Sequence, residues 1–227
     1  MTAPILIALL GAESTGKTVL AQELQASLAQ HTGLRCALVG EYLRNWCNQM
    51  GRTPDSNEQL KIAQTQAQNI EDQLSNHDVV ICDTTPLMIA VYSDLLFQDS
   101  SLYAMALAFQ ARTHINLLMA LDLPWVADGI QRDGPHVRGP VDAALRQALL
   151  RAGQHWSLIS GAGNARLSAA LDAITPILSS TPTPQTGLLT RLAARNAANP
   201  QWRWVCEKCD VPQCEHQLLN AIKRSLN

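Results

Sequence analysis

The residues that most directly suggest chemistry form a glycine-rich segment near the start of the chain. The run Gly11-Ala-Glu-Ser-Thr-Gly16-Lys17-Thr18 matches the pattern G-x-x-x-x-G-K-[ST] completely. In such a loop, backbone N–H groups turn towards phosphate oxygens, the lysine reaches the β and γ phosphates, and the hydroxyl ligates Mg²⁺. The run lies between a buried-type apolar segment and an amphipathic helical pattern, as the motif requires, although a chance glycine-rich turn is the alternative. We therefore predict that residues 11–18 hold the phosphates of a nucleoside triphosphate, with Lys17 acting in catalysis and Thr18 on the metal. The individual positions in this prediction are Gly11, Ala12, Glu13, Ser14, Thr15, Gly16, Lys17 and Thr18.

An acidic residue follows a third apolar run. Asp83 comes directly after Val79-Val-Ile-Cys82, and the carboxyl ends of parallel strands form the edge at which ligands bind in open α/β sheets. We predict that Asp83 holds Mg²⁺, directly or through water. The alternative is that Asp83 caps the helix predicted to begin near Pro86.

A second acidic residue follows the second apolar run in the same way. Glu41 begins the sequence Glu41-Tyr42-Leu43-Arg44, in which Arg44 can share a helix face with Glu41. We predict that Glu41 takes the proton of an attacking hydroxyl and that Arg44 holds this carboxylate or a sugar of the acceptor. A plain ion pair on the surface is the alternative.

A loop rich in glycine, proline and arginine is predicted between Trp125 and Pro140. Such a loop suits a mobile lid that closes over the triphosphate and places a guanidinium where charge develops during transfer. Arg132 and Arg138 are the candidates for that role. A solvated loop whose arginines bind surface acids is the alternative.

Cysteines cluster near the end of the chain. Cys206, Cys209, Cys214 and His216 offer three thiolates and one imidazole, a complete tetrahedral Zn²⁺ set. We predict a structural zinc, because a filled ligand set leaves no open position for water activation. A redox pair or reduced, unliganded thiols are the alternatives.

The elements that must position these residues are short aliphatic runs that alternate with helical patterns, which is typical of a parallel sheet covered by helices. The fold class is therefore α/β, a parallel sheet of the P-loop nucleotide-kinase type flanked by helices, with a small Cys-rich C-terminal tail. Predicted strands lie near residues 5–10, 36–39, 79–82, 115–121 and 156–159, and predicted helices near 17–29, 57–74, 86–97, 101–112, 141–152 and 165–178. Two prolines among small polar residues mark a connector. We predict a catalytic domain at 1–178, a linker at 179–187 and a zinc-binding tail at 188–227.

Composition narrows the class of protein. Of 227 residues, 47% are hydrophobic and 16% charged, and the formal net charge is −2. These values exclude a disordered chain and a polybasic nucleic-acid binder. No basic residue precedes the apolar stretch at residues 3–10, and no apolar run approaches the ~20 residues that span a bilayer. We expect a soluble cytoplasmic protein with a small-molecule partner.

The ordered motifs resemble the ribosylnicotinamide kinase domain of the bifunctional NAD-biosynthesis regulator. The resemblance covers about residues 3–178 and rests on the glycine-rich loop, Glu41-Tyr42-x-Arg44, Asp83-Thr84 and the string Pro124-Trp-Val-Ala-Asp-Gly129. It implies a kinase that transfers the γ-phosphoryl group of ATP to the 5′-hydroxyl of nicotinamide riboside or a related nucleoside, giving the mononucleotide and ADP. The implied substrate-binding residues are Glu41, Tyr42, Arg44, Trp125 and Asp128.

Two further points remain open in the sequence. Tyr42, Trp46 or Trp125 could supply an aromatic face for a cationic ring. A nucleotide-dependent ATPase or switch, whose zinc tail binds a protein or nucleic-acid partner, is the alternative function.

Overall fold

Five apolar runs form one parallel β-sheet in the part of the chain that the computed structural model describes, residues 3–127 and 134–179. The strands are β1 (Ile5–Leu10), β2 (Cys36–Val39), β3 (Val79–Asp83), β4 (Ile115–Met119) and β5 (Ser157–Ile159). Their order across the sheet is β2-β3-β1-β4-β5. The predicted α/β fold with a parallel sheet is thereby confirmed.

Strand β1 is the middle strand of this sheet. It pairs with β3 on one side, where Leu9 aligns with Asp83, and with β4 on the other, where Leu10 aligns with Leu118. All six of its residues are buried, as expected for a parallel strand covered by helices on both faces. The strand order reverses next to β1, so a ligand crevice is expected beyond its carboxyl end.

Seven α-helices accompany the sheet in the described residues. They are α1 (Lys17–Thr32), α2 (Tyr42–Met50), α3 (Ser56–Leu74), α4 (Pro86–Phe97), α5 (Tyr103–Gln110), α6 (Arg138–Arg151) and α7 (Asn164–Ser179), with a short 3₁₀ turn at Pro135–Val137. Helix α3 begins with a capping box in which Asp55 and Glu58 bind each other's backbone N–H groups. The predicted helices are confirmed, and α2 is a further helix that the sequence pattern indicated only around Glu41 and Arg44.

Helix α6 begins three residues earlier than predicted. Residues 138–140, expected in the loop, form its first turn. Pro140 is accepted there because the first-turn N–H groups have no partner within a helix. The predicted loop is therefore shorter at this end, and Arg138 belongs to a helix.

The core lies between the sheet and the helices that cover it. One cluster of buried side chains joins the end of β1 to α3, α4 and α6, through residues such as Leu10, Ile62, Leu87 and Leu145.

None of the helices in the described ranges is both long and apolar enough to cross a membrane. Ser179 ends α7, whereas the rest of the predicted linker and the whole predicted tail lie outside the described residues.

Candidate active site

The glycine-rich loop follows β1 and leads directly into α1. Gly11 has a φ of 150°, and a Cβ placed on it would lie 2.9 Å from the Cβ of Met119. Gly16 precedes α1 with a φ of 77°. Side chains are disfavoured at both positions, by conformation and, at Gly11, by space. The loop thus has the strand–turn–helix setting that the motif requires.

Lys17 folds back over this loop. Its ammonium donates to the carbonyl oxygens of Gly11, at 2.7 Å, and Ala12, at 2.9 Å. The Thr15 hydroxyl also donates to the Ala12 carbonyl, at 2.8 Å. The loop is therefore held in a tight curve, with the lysine ammonium at its mouth.

The segment just before residue 128 lies against the same loop. The Ser14 hydroxyl donates to the Val126 carbonyl at 2.8 Å, and the Trp125 indole N–H donates to a Glu13 carboxylate oxygen at 3.2 Å. The structure places Trp125, predicted to bind substrate, on the phosphate loop. The start of the predicted lid is thus in contact with residues 13 and 14.

Arg166, near the start of α7, connects three parts of the site edge. Its guanidinium donates to the carbonyls of Thr15, at 2.9 Å, and Gly161, at 2.7 Å, and forms an ion pair with Asp122. Only 4% of Arg166 is exposed. The sequence does not reveal this residue, because a helical pattern does not show which of its polar side chains is buried.

Glu41 stands at the junction of β2 and α2. Its carboxylate lies 3.5 Å from the Arg44 guanidinium, and its side chain is 20% exposed. Burial raises the pKa of the Glu41 carboxyl above its ordinary value; Lys17 and Arg44 oppose this, whereas Asp83 adds to it. The expected Glu41–Arg44 pair therefore exists, and both residues line a cavity that also contains Lys17.

Asp83 ends β3, and only 2% of it is exposed. Its Oδ1 atom is buried and accepts no hydrogen bond from the residues that the structure describes. The N-cap of α4 is Thr85, so the alternative that Asp83 caps this helix does not hold. A buried carboxylate oxygen with unused acceptor capacity fits a hard cation such as Mg²⁺, which prefers oxygen ligands.

Gln66, on α3, joins the backbone beside both acidic residues. Its amide oxygen accepts the Tyr42 N–H at 2.7 Å, and its amide nitrogen donates to the carbonyls of Gly40, at 3.2 Å, and Thr84, at 3.4 Å. Thr84 has a φ of 82°, which is strained for a β-branched residue. Gln66 therefore fixes the two chain segments that carry Glu41 and Asp83.

A cavity of about 600 Å³ extends from the phosphate loop along α3 and α4. Its wall includes Lys17, Thr18, Glu41, Leu43, Arg44, Thr53, Asp55, Gln59, Met88, Tyr92, Leu96 and Phe97. Tyr92 and Phe97 are the aromatic residues on this wall within the described ranges. The sequence reveals neither, since α4 is apolar on most sides and its pattern does not show which face borders a cavity. We name this space the site cavity.

The aromatic residues predicted from the sequence lie elsewhere. Trp46 stacks against Arg52, whose guanidinium carbon is 5.0 Å from the ring centre. Tyr42 packs partly against the core and borders a separate shallow groove. Like Trp125, neither lines the site cavity.

The remaining predicted site residues divide into two groups. Arg138 is 9% exposed, and its Nε and Nη2 atoms are buried with no hydrogen-bond partner among the residues described. It does not line the site cavity, and its predicted role stays a prediction. Outside the described residues lie Asp128, Arg132, Cys206, Cys209, Cys214 and His216.

Solved structures share this fold. A NadR protein in complex with NAD and AMP-PNP matches 80% of this chain and 51% of its own, with a TM-score of 0.63 and 16% identity. A NadR protein in complex with NR matches 78% and 52%, with a TM-score of 0.64 and 17% identity. Thymidylate kinase from Ehrlichia chaffeensis matches 78% of this chain and 100% of its own, with a TM-score of 0.55 and 14% identity. This chain thus spans about half the length of the two NadR chains.

These likenesses confirm, for the fold, the resemblance that the motifs indicated. No curated protein matches the sequence. A family model described as an AAA domain matches residues 6–166, from the second residue of β1 to Arg166. The match covers more than half of the chain and includes the phosphate loop, Glu41 and Asp83. The chain therefore belongs to this AAA-domain family.

Proposed function

We propose that this protein is an ATP-dependent kinase that phosphorylates the 5′-hydroxyl of nicotinamide riboside or a related nucleoside. The observation that carries the proposal is the site cavity, in which Glu41 faces the same space as the phosphate-loop residues Lys17 and Thr18. A donor phosphate and an acceptor hydroxyl therefore have room in one enclosure. The likeness in fold to NadR proteins solved with AMP-PNP and with NR supports this pairing.

In the proposed reaction, the acceptor oxygen forms a bond to the γ-phosphorus of ATP as the bond to the β,γ-bridging oxygen breaks. Glu41 accepts the proton that the hydroxyl loses, and ADP leaves with the electron pair of the broken bond. Lys17 exchanges its loop carbonyls for phosphate oxygens, where its charge stabilises the transferred group. Arg44 keeps the Glu41 carboxylate oriented.

Thr18 and Asp83 are the residues that would hold Mg²⁺. When bound, this cation offsets charge on the β and γ phosphates. Thr18 lines the site cavity, and the unused Oδ1 of Asp83 supplies a buried acceptor. Both groups are oxygen ligands, as Mg²⁺ requires.

The proposed acceptor places its ring between α3 and α4. Tyr92 and Phe97 offer aromatic surface on the cavity wall, and Leu43 and Met88 offer apolar surface. Aromatic faces attract a cationic ring such as a pyridinium. This lining favours nicotinamide riboside among nucleosides.

The test is ADP release with Mg²⁺-ATP across a panel of acceptors. The panel contains nicotinamide riboside, the common ribonucleosides and deoxynucleosides, and a reaction without acceptor. Selective turnover with nicotinamide riboside is expected. Selective turnover with another nucleoside would retain the mechanism and change the substrate, whereas absence of turnover would contradict the kinase assignment.

Two variants separate transfer from nucleotide binding. Glu41→Gln removes the proton acceptor while leaving the phosphate loop intact, so transfer is expected to be lost and ATP binding kept. Lys17→Ala is expected to weaken both. If no acceptor is phosphorylated and a macromolecule stimulates an ATP hydrolysis that survives Glu41→Gln, the partner-regulated ATPase becomes the better assignment.

A further inference from the structure

Gln59, in the first turn of α3, is a buried amide with no partner of its own. Only 3% of it is exposed, yet it forms part of the site-cavity wall. Within residues 3–127 and 134–179, its amide makes no hydrogen bond, and neither of its polar atoms is fully enclosed by protein. An amide whose donor and acceptor are unused beside a cavity can form hydrogen bonds with a molecule bound there. The unused donor and acceptor of Gln59 therefore face the cavity and indicate a ligand.

Gln66 provides an internal comparison on the same helix. It lies seven residues further along α3, on the same face, and is 1% exposed. Its donor and acceptor are both used by backbone groups. Burial on this face therefore allows full pairing of a glutamine, and the lack of partners at Gln59 is a feature of the cavity.

The surroundings of Gln59 limit what it can bind. Leu43 on α2 and Met88, Leu96 and Phe97 on α4 make much of the site-cavity wall apolar. An amide presents one N–H₂ donor beside one C=O acceptor. It pairs best with a planar group that places an acceptor opposite the amide N–H₂ and a donor opposite the amide C=O. The apolar wall suits an aromatic ring that carries such a group.

We propose that Gln59 determines acceptor specificity by forming paired hydrogen bonds with an amide-type edge on the aromatic ring of the acceptor. Such an edge is a carboxamide on a pyridinium ring, or the adjacent donor and acceptor of a nucleobase. The inference rests on the proposed function, because it assigns a role in binding the acceptor of that reaction. It adds the chemical group that the acceptor must carry and the residue that recognises it.

The test compares acceptors that differ only at this edge. Nicotinamide riboside carries the carboxamide, and pyridine riboside has the same sugar, hydroxyl and cationic ring without it. Gln59→Leu is expected to lower kcat/KM for nicotinamide riboside about tenfold to hundredfold, because the hydrogen bonds to the carboxamide are lost. It is expected to leave kcat/KM for pyridine riboside, and KM for ATP, within about twofold of the wild-type values.

A second pair of acceptors tests whether Gln59 recognises the edge of a nucleobase. Adenosine carries an exocyclic amino group beside a ring acceptor, and purine riboside lacks the amino group. If the wild type prefers adenosine to nicotinamide riboside, Gln59→Leu is expected to lower kcat/KM for adenosine and to leave kcat/KM for purine riboside unchanged. The two pairs therefore distinguish a carboxamide from a nucleobase edge.

Control variants exclude a general effect of the substitution. Gln64→Leu places the same change on an exposed position of α3 and is expected to leave both acceptors unaffected. Gln59→Met, which also removes the amide, repeats the test if the leucine variant has a lower Tm.

Three results would decide the matter. An equal loss for both members of an acceptor pair, or no loss for either, would overturn the role of Gln59 while the proposed function stands. If the wild type phosphorylates no acceptor in the panel, the proposed function fails, and the inference fails with it. A selective loss for the member that carries the edge supports both.

Discussion

Glu41 must be ionised to accept a proton, yet it lies in a cavity wall where burial disfavours the charge. The pKa of its carboxyl is raised by burial, lowered by Lys17 and raised again by Asp83. A carboxylate with a raised pKa binds a proton more tightly than an ordinary one and is the stronger base. Arg44, 3.5 Å away, favours the ionised form and so opposes the effect of burial on this pKa.

This pKa predicts the pH dependence of transfer. Because the base acts only when ionised, kcat/KM for nicotinamide riboside is expected to rise with pH as Glu41 of the free enzyme loses its proton. The acidic limb should lie at higher pH than the ordinary value of a glutamate, since the pKa is raised. The measurement is kcat/KM for nicotinamide riboside over pH 4–8. A limb at or below the ordinary glutamate pKa would contradict the assignment.

The same residue predicts a change in stability of the unliganded protein. A raised pKa in the folded state means that stability present below the unfolded pKa is lost as pH rises through the folded pKa. Glu41→Gln avoids that loss, so its Tm is expected to exceed that of the wild type at pH 7. The difference should disappear near pH 4, where Glu41 is protonated. A lower Tm for the variant at pH 7 would show that the pairing with Arg44 outweighs burial.

At the scale of elements, α3 holds in place the backbone segments that directly follow β2 and β3. Gln66→Leu removes the partners of the Tyr42 N–H and of the Gly40 and Thr84 carbonyls. We expect a loss of about 1–3 kcal/mol in the free energy of unfolding and a fall in kcat of at least tenfold with little change in KM for ATP.

Denaturant unfolding and steady-state kinetics check the Gln66 prediction, with the exposed Gln64→Leu as the matched control. The strained φ of Thr84 should persist only while Gln66 supports it. A Gln66→Leu protein that loses stability but keeps its kcat would restrict this residue to a structural role.

Helix α7 contributes through Arg166, which binds the phosphate loop from outside. Arg166→Met removes the donors to the Thr15 and Gly161 carbonyls and leaves Asp122 without this partner. We expect the Kd for ATP to rise about tenfold, because the loop is no longer held ready for phosphates. Calorimetric titration with ATP measures this. Arg146→Met, which breaks a half-buried pair with Asp142 on α6, should leave the Kd unchanged.

Sequence patterns located the parts of the site that depend on local structure. The phosphate loop needs only a strand, a turn and a helix, and Glu41 and Asp83 could be placed because parallel strands end at one edge. Gln59, Gln66 and Arg166 could not be placed this way. Each is a polar residue within a helical pattern, and its burial depends on which helices pack against it.

The aromatic wall was missed for a related reason. Tyr92 belongs to α4, where buried residues occur on nearly every side of the helix. Apolar periodicity therefore does not indicate which face of α4 borders the cavity. Tyr42, Trp46 and Trp125 are the aromatic residues that the sequence favours, because they lie near recognisable motifs. Their placement depends on Arg52, Gln66 and Glu13, which are close only in the folded chain.

At the scale of the whole molecule, we propose that residues 179–187 link the catalytic domain, residues 1–178, to a zinc-binding tail at 188–227. Metal analysis of the purified chain is expected to give one zinc per molecule, lost in Cys206→Ser. Cys36→Ser, in β2, should retain the metal, because Cys36 lies outside the predicted ligand set. Kinase activity should survive the loss of zinc. A metal-free wild-type chain would favour a redox pair or unliganded thiols.

The order of strands has a consequence for how strictly each substrate is held. Strand β1, which carries the phosphate loop, is paired on both sides, whereas β2, which leads to Glu41, has four residues and, in the part of the chain that the structure describes, pairs only with β3. Local opening of a sheet is easiest where pairing and burial are least. In the proposed kinase, the half of the site that receives the triphosphate would therefore open less readily than the half that receives the nucleoside. Such an enzyme would be exacting towards its phosphate donor, whereas its choice among nucleosides would depend on the individual side chains that contact the acceptor ring.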